Sequence, residues 1–133
     1  MDSLNANPGA LWLIGHLPDS IYDCSPIMPE LYAELYHEFY TFIKTYDPTA
    51  RVAIVAIVQP SPLRLEYLDK VLGHYQALYG EKLPTALWNI HLYALPEVAG
   101  GAGAGVPPDA SSPTGWYPNQ WAQMVDINRL YRK

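Results

Sequence analysis

Val52-Ala53-Ile54-Val55-Ala56-Ile57-Val58 is an uncharged, largely β-branched run closed by Gln59-Pro60-Ser61-Pro62. A run of this kind reads as a strand that buries both of its faces. It constrains the chain more than any other stretch, because layers must cover it on each side. Two similar runs flank it. Ala10-Leu11-Trp12-Leu13-Ile14-Gly15 stands between Asn7-Pro8-Gly9 and Leu17-Pro18-Asp19-Ser20, and Ala86 to Tyr93 forms a third predicted strand.

The intervals carry helical spacing. From Pro29 to about Tyr46 the apolar positions are Leu31, Leu35, Phe39, Phe42, Ile43 and Tyr46, with proline at the first turn and Asp47-Pro48 as the stop. Leu65, Leu68, Leu72, Tyr75 and Tyr79 mark a second amphipathic helix ending at Gly80. The order β-α-β-α-β implies parallel strands joined by right-handed crossovers, an α/β fold. Two helices cover one face of such a sheet. The bare face predicts self-association into a homo-oligomer, unless the C-terminal segment folds beneath it.

Residues 99–115 are rich in glycine and proline and predict a long mobile loop within a single domain spanning 1–133. The glycines form no phosphate cradle, since no strand feeds them and no Lys-Ser/Thr pair follows. From Asn119 onward, Trp121, Met124, Val125 and Leu130 suggest a last helix. Half of the residues are hydrophobic and 16% are charged, which predicts a packed core. A net charge of −5 disfavours nucleic acid or an anionic membrane as partner. No apolar run reaches the ~20 residues that span a bilayer. With one cysteine, Cys24, and no signal-peptide pattern, the expectation is a soluble cytoplasmic chain or an excised soluble piece.

Leu11-Trp12-Leu13-Ile14-Gly15-His16-Leu17-Pro18-Asp19 resembles the end of the fourth strand of clan A glycoside hydrolases. In that family Trp, two apolar residues and Gly precede Asn-Glu-Pro. Tyr46-Asp47-Pro48-Thr49-Ala50-Arg51-Val52 and Gln59-Pro60-Ser61-Pro62 are similar to the two ends of the fifth strand, and Trp88-Asn89-Ile90-His91-Leu92-Tyr93 to the sixth. The resemblance covers roughly Pro8 to Tyr93. It implies a partial (β/α)₈ (TIM) barrel of three parallel strands with outer helices. His16 takes the family's Asn position and Leu17 that of its acid/base Glu. The strand that carries the family's nucleophile has no counterpart. Retaining hydrolysis needs two carboxyl groups about 5 Å apart, so the resemblance implies a glycosidase-like segment impaired in catalysis. Weak carbohydrate binding is the retained ability.

The candidate ligand-binding residues are His16, Leu17, Asn89, His91, Tyr93 and Trp116, of which His16, His91 and Tyr93 are also the catalytic candidates. They belong to the carboxyl ends of strands, where barrel enzymes gather functional groups, with Trp116 in the loop. The rival expectation is a natural or designed site that uses His16 and His91 for proton transfer. The structural alternative makes these side chains pocket walls. No cofactor is implied, and no Cys or carboxylate joins the histidines at metal-ligand spacing. Asp19 and Asp23 are read as turn or cap residues. Glu30, Glu34, Glu38, Glu66 and Asp69 are read as solvated, His37 and His74 as surface residues, and Trp12 and Trp88 as packed under the helices. The eleven tyrosines suit half-wet positions, chiefly the outer faces of the helices.

Overall fold

The computed structural model describes residues 7–21, 26–89, 91, 93 and 95. Within them β1 (Leu11–Ile14), α1 (Pro29–Tyr46), β2 (Arg51–Ile54) and α2 (Pro62–Tyr79) follow in order. β1 and β2 pair in parallel, with Leu11 beside Arg51 and Ile14 beside Ile54. Both helices begin on a proline whose missing N–H would have had no helical partner. α2 stops where Gly80 turns left-handed at φ 73°. The described residues are mixed α/β, two helices on a two-stranded parallel sheet. No helix among the described residues is long and apolar enough to cross a membrane.

β2 is shorter than its apolar run, and the physical reason lies in its hydrogen bonds. The Ile54 N–H donates to Thr85 Oγ1 at 3.1 Å, that of Val55 to the Tyr32 hydroxyl at 3.0 Å, and that of Val58 to Asp19 Oδ1 at 3.1 Å. Side chains thus take the donors that a longer ladder would use. Of the third predicted strand, Ala86 to Tyr93, the described residues show a parallel bridge between Trp88 and Ile54. Ala86 N–H donates to the Val52 carbonyl at 2.7 Å nearby. Ile90 and Leu92 lie outside the described residues, as do the 99–115 segment and the last predicted helix.

The core joins Ile14, Val52, Ile54, Val55 and Ile57 to Tyr32, Tyr36 and Ile43 of α1 and to Leu68, Val71 and Tyr75 of α2. Trp12 and Trp88 pack against it, half-buried. The face of α1 corrects the sequence expectation. Of the predicted apolar positions only Ile43 is buried, whereas Leu31, Leu35, Phe39, Phe42 and Tyr46 are 38–52% exposed. Tyrosine wins the inner face because its hydroxyl reaches acceptors that an aliphatic chain could not. Tyr32 donates to the Ile14 carbonyl at 2.8 Å and Tyr36 to that of Pro84 at 2.7 Å. From α2, Tyr67 donates to the Ile27 carbonyl at 2.8 Å. These tyrosines close open carbonyls at strand ends and loops, so they are core residues and not a coat on the helices.

His37 is also not a free surface residue. Its ring stacks on Tyr79 with centroids 3.7 Å apart, and its Nδ1 lies 2.9 Å from the Tyr75 hydroxyl. It forms part of the seam between α1 and α2. His74 Nε2 meets Glu34 Oε1 at 3.2 Å across the same seam, with Glu34 half-exposed.

Candidate functional site

The carboxyl end of β1 turns sharply. Gly15 adopts φ 92°, and a Cβ there would meet Tyr32 Cε2 at 3.4 Å. Glycine is required by the positive φ, while the ring beside it would stand in ordinary contact with a Cβ. Leu17 follows at φ 42°, the one non-glycine residue with positive φ among those described. The double reversal sends neighbouring side chains in opposite directions. His16 is exposed, whereas Leu17 is buried against Val58 and partly buried Leu95. Left-handed backbone at a branched residue costs roughly 1–2 kcal/mol, which burial of the leucine offsets.

Buried polar groups hold the turn in place. The Asp19 carboxylate accepts the Val58 N–H through both oxygens, at 3.1 and 3.3 Å, and stands 3.4 Å from Arg64 Nη1. The same guanidinium nitrogen donates to the Asp19 main-chain carbonyl. Asp19 is therefore no helix cap. It ties the turn after β1 to the residues after β2 and to the first turn of α2. The Arg64 position carried a signal for this, since Arg64, Leu68, Val71 and Tyr75 share one helical stripe and all are buried. A guanidinium in a core stripe demands a buried acceptor.

Gln59 was not singled out from the sequence, yet it positions the next segment. Its Nε2 donates to the Leu95 carbonyl at 2.9 Å, and the Leu95 N–H donates to its Oε1 at 2.8 Å. The fully buried amide thus imitates a strand neighbour for Leu95. It holds the far end of the segment that carries His91 and Tyr93.

The consequence is a row of rings at the strand ends. His16 and His91 have centroids 5.6 Å apart with planes at 59°, and His91 meets Tyr93 at 5.4 Å edge-on. His16 and Tyr93 are exposed and His91 is half-buried. The structure therefore brings together three of the predicted site residues. Asn89 is half-buried next to the Trp88 bridge. Leu17 is buried with Val58 and Leu95 and does not join the row. Trp116, Asp23 and Cys24 lie outside the described residues. Among the described residues no three His, Cys, Asp or Glu side chains converge as a metal site would require.

Chemically the row offers the exposed His16 imidazole and Tyr93 phenol, with His91 half-buried between them and its Nδ1 shut off from water. Asp19, the carboxylate of the turn, is committed to Val58 and Arg64. Comparison with protein-family models, curated proteins and solved structures finds no match in any of the three.

Proposed function

We propose that this chain is a glycoside-hydrolase-like (β/α)₈ segment that binds carbohydrate weakly at its strand ends and does not hydrolyse it. The observation that carries this reading is the continuous row His16, His91 and Tyr93. Sugar rings present apolar faces ringed by hydroxyls, and half-exposed aromatic rings bearing polar atoms suit both parts. The resemblance in the order and spacing of the three strand motifs supports the same reading. Against hydrolysis, Leu17 can neither donate nor accept a proton, and general acid assistance alone is worth ~10²–10⁴ in rate.

The test is a titration with soluble oligosaccharides of differing linkage, followed through the imidazole resonances of the full chain. Shifts at His16 and His91 with a dissociation constant near ~1 mM, lost in Tyr93→Ala and His91→Ala, are the expected result. Sugars that leave these resonances unmoved would end the reading. Leu17→Glu should give no glycosidase activity, and it should lower stability by ~2 kcal/mol or more, because the new carboxylate enters a buried site. Recovered hydrolysis would mean that a second catalytic carboxylate exists.

The 5.6 Å approach of the two imidazoles also favours a second reading, proton transfer between paired histidines on a non-sugar substrate. A pH–rate profile on an activated ester separates the two. Equal rates for the parent chain and His16→Ala would dismiss the catalytic alternative.

A further inference from the structure

The exposed positions of α1 form a continuous apolar stripe. Met28, Leu31, Leu35, Phe39, Phe42 and Tyr46 recur every three or four residues, and each is 38–67% exposed. Two kinds of contact fix its direction. Tyr32, Tyr36 and Ile43 mark the sheet side of the helix, while His37 on Tyr79 and Glu34 on His74 mark the α2 side. At ~100° per residue the stripe lies about 100° round from the sheet, on the side away from α2. That flank also carries the outer edge of β1, with which no strand among the described residues pairs.

We propose that two copies of this chain associate through this flank, α1 packing antiparallel to α1 about a two-fold axis beside Phe39. The stripe is self-complementary in that register. Leu31 comes opposite the partner's Tyr46 and Leu35 opposite the partner's Phe42, so a smaller side chain meets a larger one along both halves. The area is sufficient as well. Large side chains bury ~150–250 Å² each, so six of them about half exposed offer on the order of 600 Å² per copy. Both copies together reach ~1,200 Å², the lower bound of stable interfaces, and each copy's ~600 Å² stands at the upper end of what monomers leave exposed.

The helix dipoles favour the antiparallel sense. Exposed Glu30, Glu34 and Glu38 rim the first half of the stripe, and Thr41 and Thr45 rim the second. Parallel packing about a two-fold axis would put the two Glu rows on opposite sides of the contact and align the two helix dipoles. Antiparallel packing sets Glu30 and Glu34 against the partner's threonines and opposes the two helix dipoles. Glu38 alone meets its own copy at the axis. The association uses a different surface from the ring row and does not rest on the carbohydrate reading. It also differs from a contact through the sheet face, where Leu11 and Leu13 are exposed but Ala53 beside Leu13 is buried.

The experiment is native mass by light scattering on the full chain across a dilution series, for the parent, Phe39→Glu and Glu38→Gln. The expected result is a dimer, weakened at least ~100-fold by Phe39→Glu and tightened several-fold by Glu38→Gln, with the monomer's thermal unfolding unchanged in both. A parent chain monomeric at every concentration, or a dimer indifferent to Phe39→Glu, would overturn the proposal. A lower monomer melting temperature in Phe39→Glu would overturn it too, since the stripe would then be covered by this chain's own residues beyond Leu95. A second measurement fixes the register. On a Cys24→Ser background, mixing Leu35→Cys and Phe42→Cys chains should give the mixed disulfide in excess over either symmetric one. An excess of the symmetric disulfides would refute antiparallel packing.

Discussion

Two aspartates hold the two ends of this small sheet, and their different surroundings set different tests. Asp19 is buried with Arg64 and Val58 at the carboxyl end. Removing one member of such a pair leaves an uncompensated charge, so Asp19→Ala should lower unfolding free energy by about 3–5 kcal/mol. Replacing both members at once, by Asp19→Leu with Arg64→Met, should cost less than Asp19→Ala alone. Denaturant unfolding of the three chains checks this. If the double replacement costs more than Asp19→Ala, the pair is worth more than its desolvation. Asp47 works at the amino end. It accepts from Gly9 N–H at 2.8 Å, Thr49 N–H at 2.9 Å and the Thr49 hydroxyl at 2.5 Å, joining the end of α1 to the chain entering β1. The Thr49 hydroxyl above all, with the Gly9 amide, holds its carboxyl below the usual aspartate value of 3.8. A depressed native pKa adds stability that is complete above the unfolded value and lost as pH falls through the native one. The melting temperature should therefore fall below about pH 4, and more shallowly in Asp47→Asn. Acid limbs of equal slope would remove Asp47 from that role.

The helices are held to the sheet by tyrosines, and this gives them an alkaline limit. Burial raises Tyr32, Tyr36 and Tyr67 well above the ordinary tyrosine value of 10.0, and burial with the charge of Glu81 pushes Tyr75 up to about 12. The folded protein thus keeps protons that the unfolded chain releases near pH 10. Stability is complete below that pH and declines as pH rises from about 10 through about 12. The ring resonances of Tyr32, Tyr36 and Tyr75 and the far-ultraviolet circular dichroism should change together in this window. Tyrosinate forming at these three rings several pH units before the helices melt would show that they are not the core they form here. At this scale the sequence places α1 and the end of α2 almost to the residue, because Pro29, Asp47-Pro48 and Gly80 are local signals, whereas α2 begins at Pro62, ahead of the Leu65 where its apolar spacing starts. It mistakes the inner face of α1. The two stripes of that helix, Leu31-Leu35-Phe39-Phe42-Tyr46 and Tyr32-Tyr36-Ile43, have the same period and similar apolarity. Only the carbonyls of Ile14 and Pro84 favour the tyrosines, and they are 18 and 48 residues away along the chain.

For the whole molecule, the decisive link is Gln59, which fixes Leu95 and with it the segment bearing His91 and Tyr93. Gln59→Leu keeps the volume but removes both hydrogen bonds, at about 1 kcal/mol each. Amide exchange at Leu95 should accelerate by tenfold or more, and the carbohydrate-induced shifts at His91 should weaken, while exchange in α1 stays unchanged. Unaltered exchange at Leu95 would mean that other contacts hold the segment.

The sequence by itself determines the alternation of strand and helix, the parallel pairing of β1 and β2 that follows from it, the limits of α1 and the end of α2. Each of these rests on local spacing or on the rule that a helical crossover joins parallel strands. Tertiary structure alone decides which face of α1 is buried, that Asp19 finds Arg64 across 45 residues, that Gln59 serves as a strand neighbour, and that Trp88 bridges to Ile54. Those outcomes depend on which distant backbone groups remain unpaired once the elements have packed, and no window of neighbouring residues contains that information.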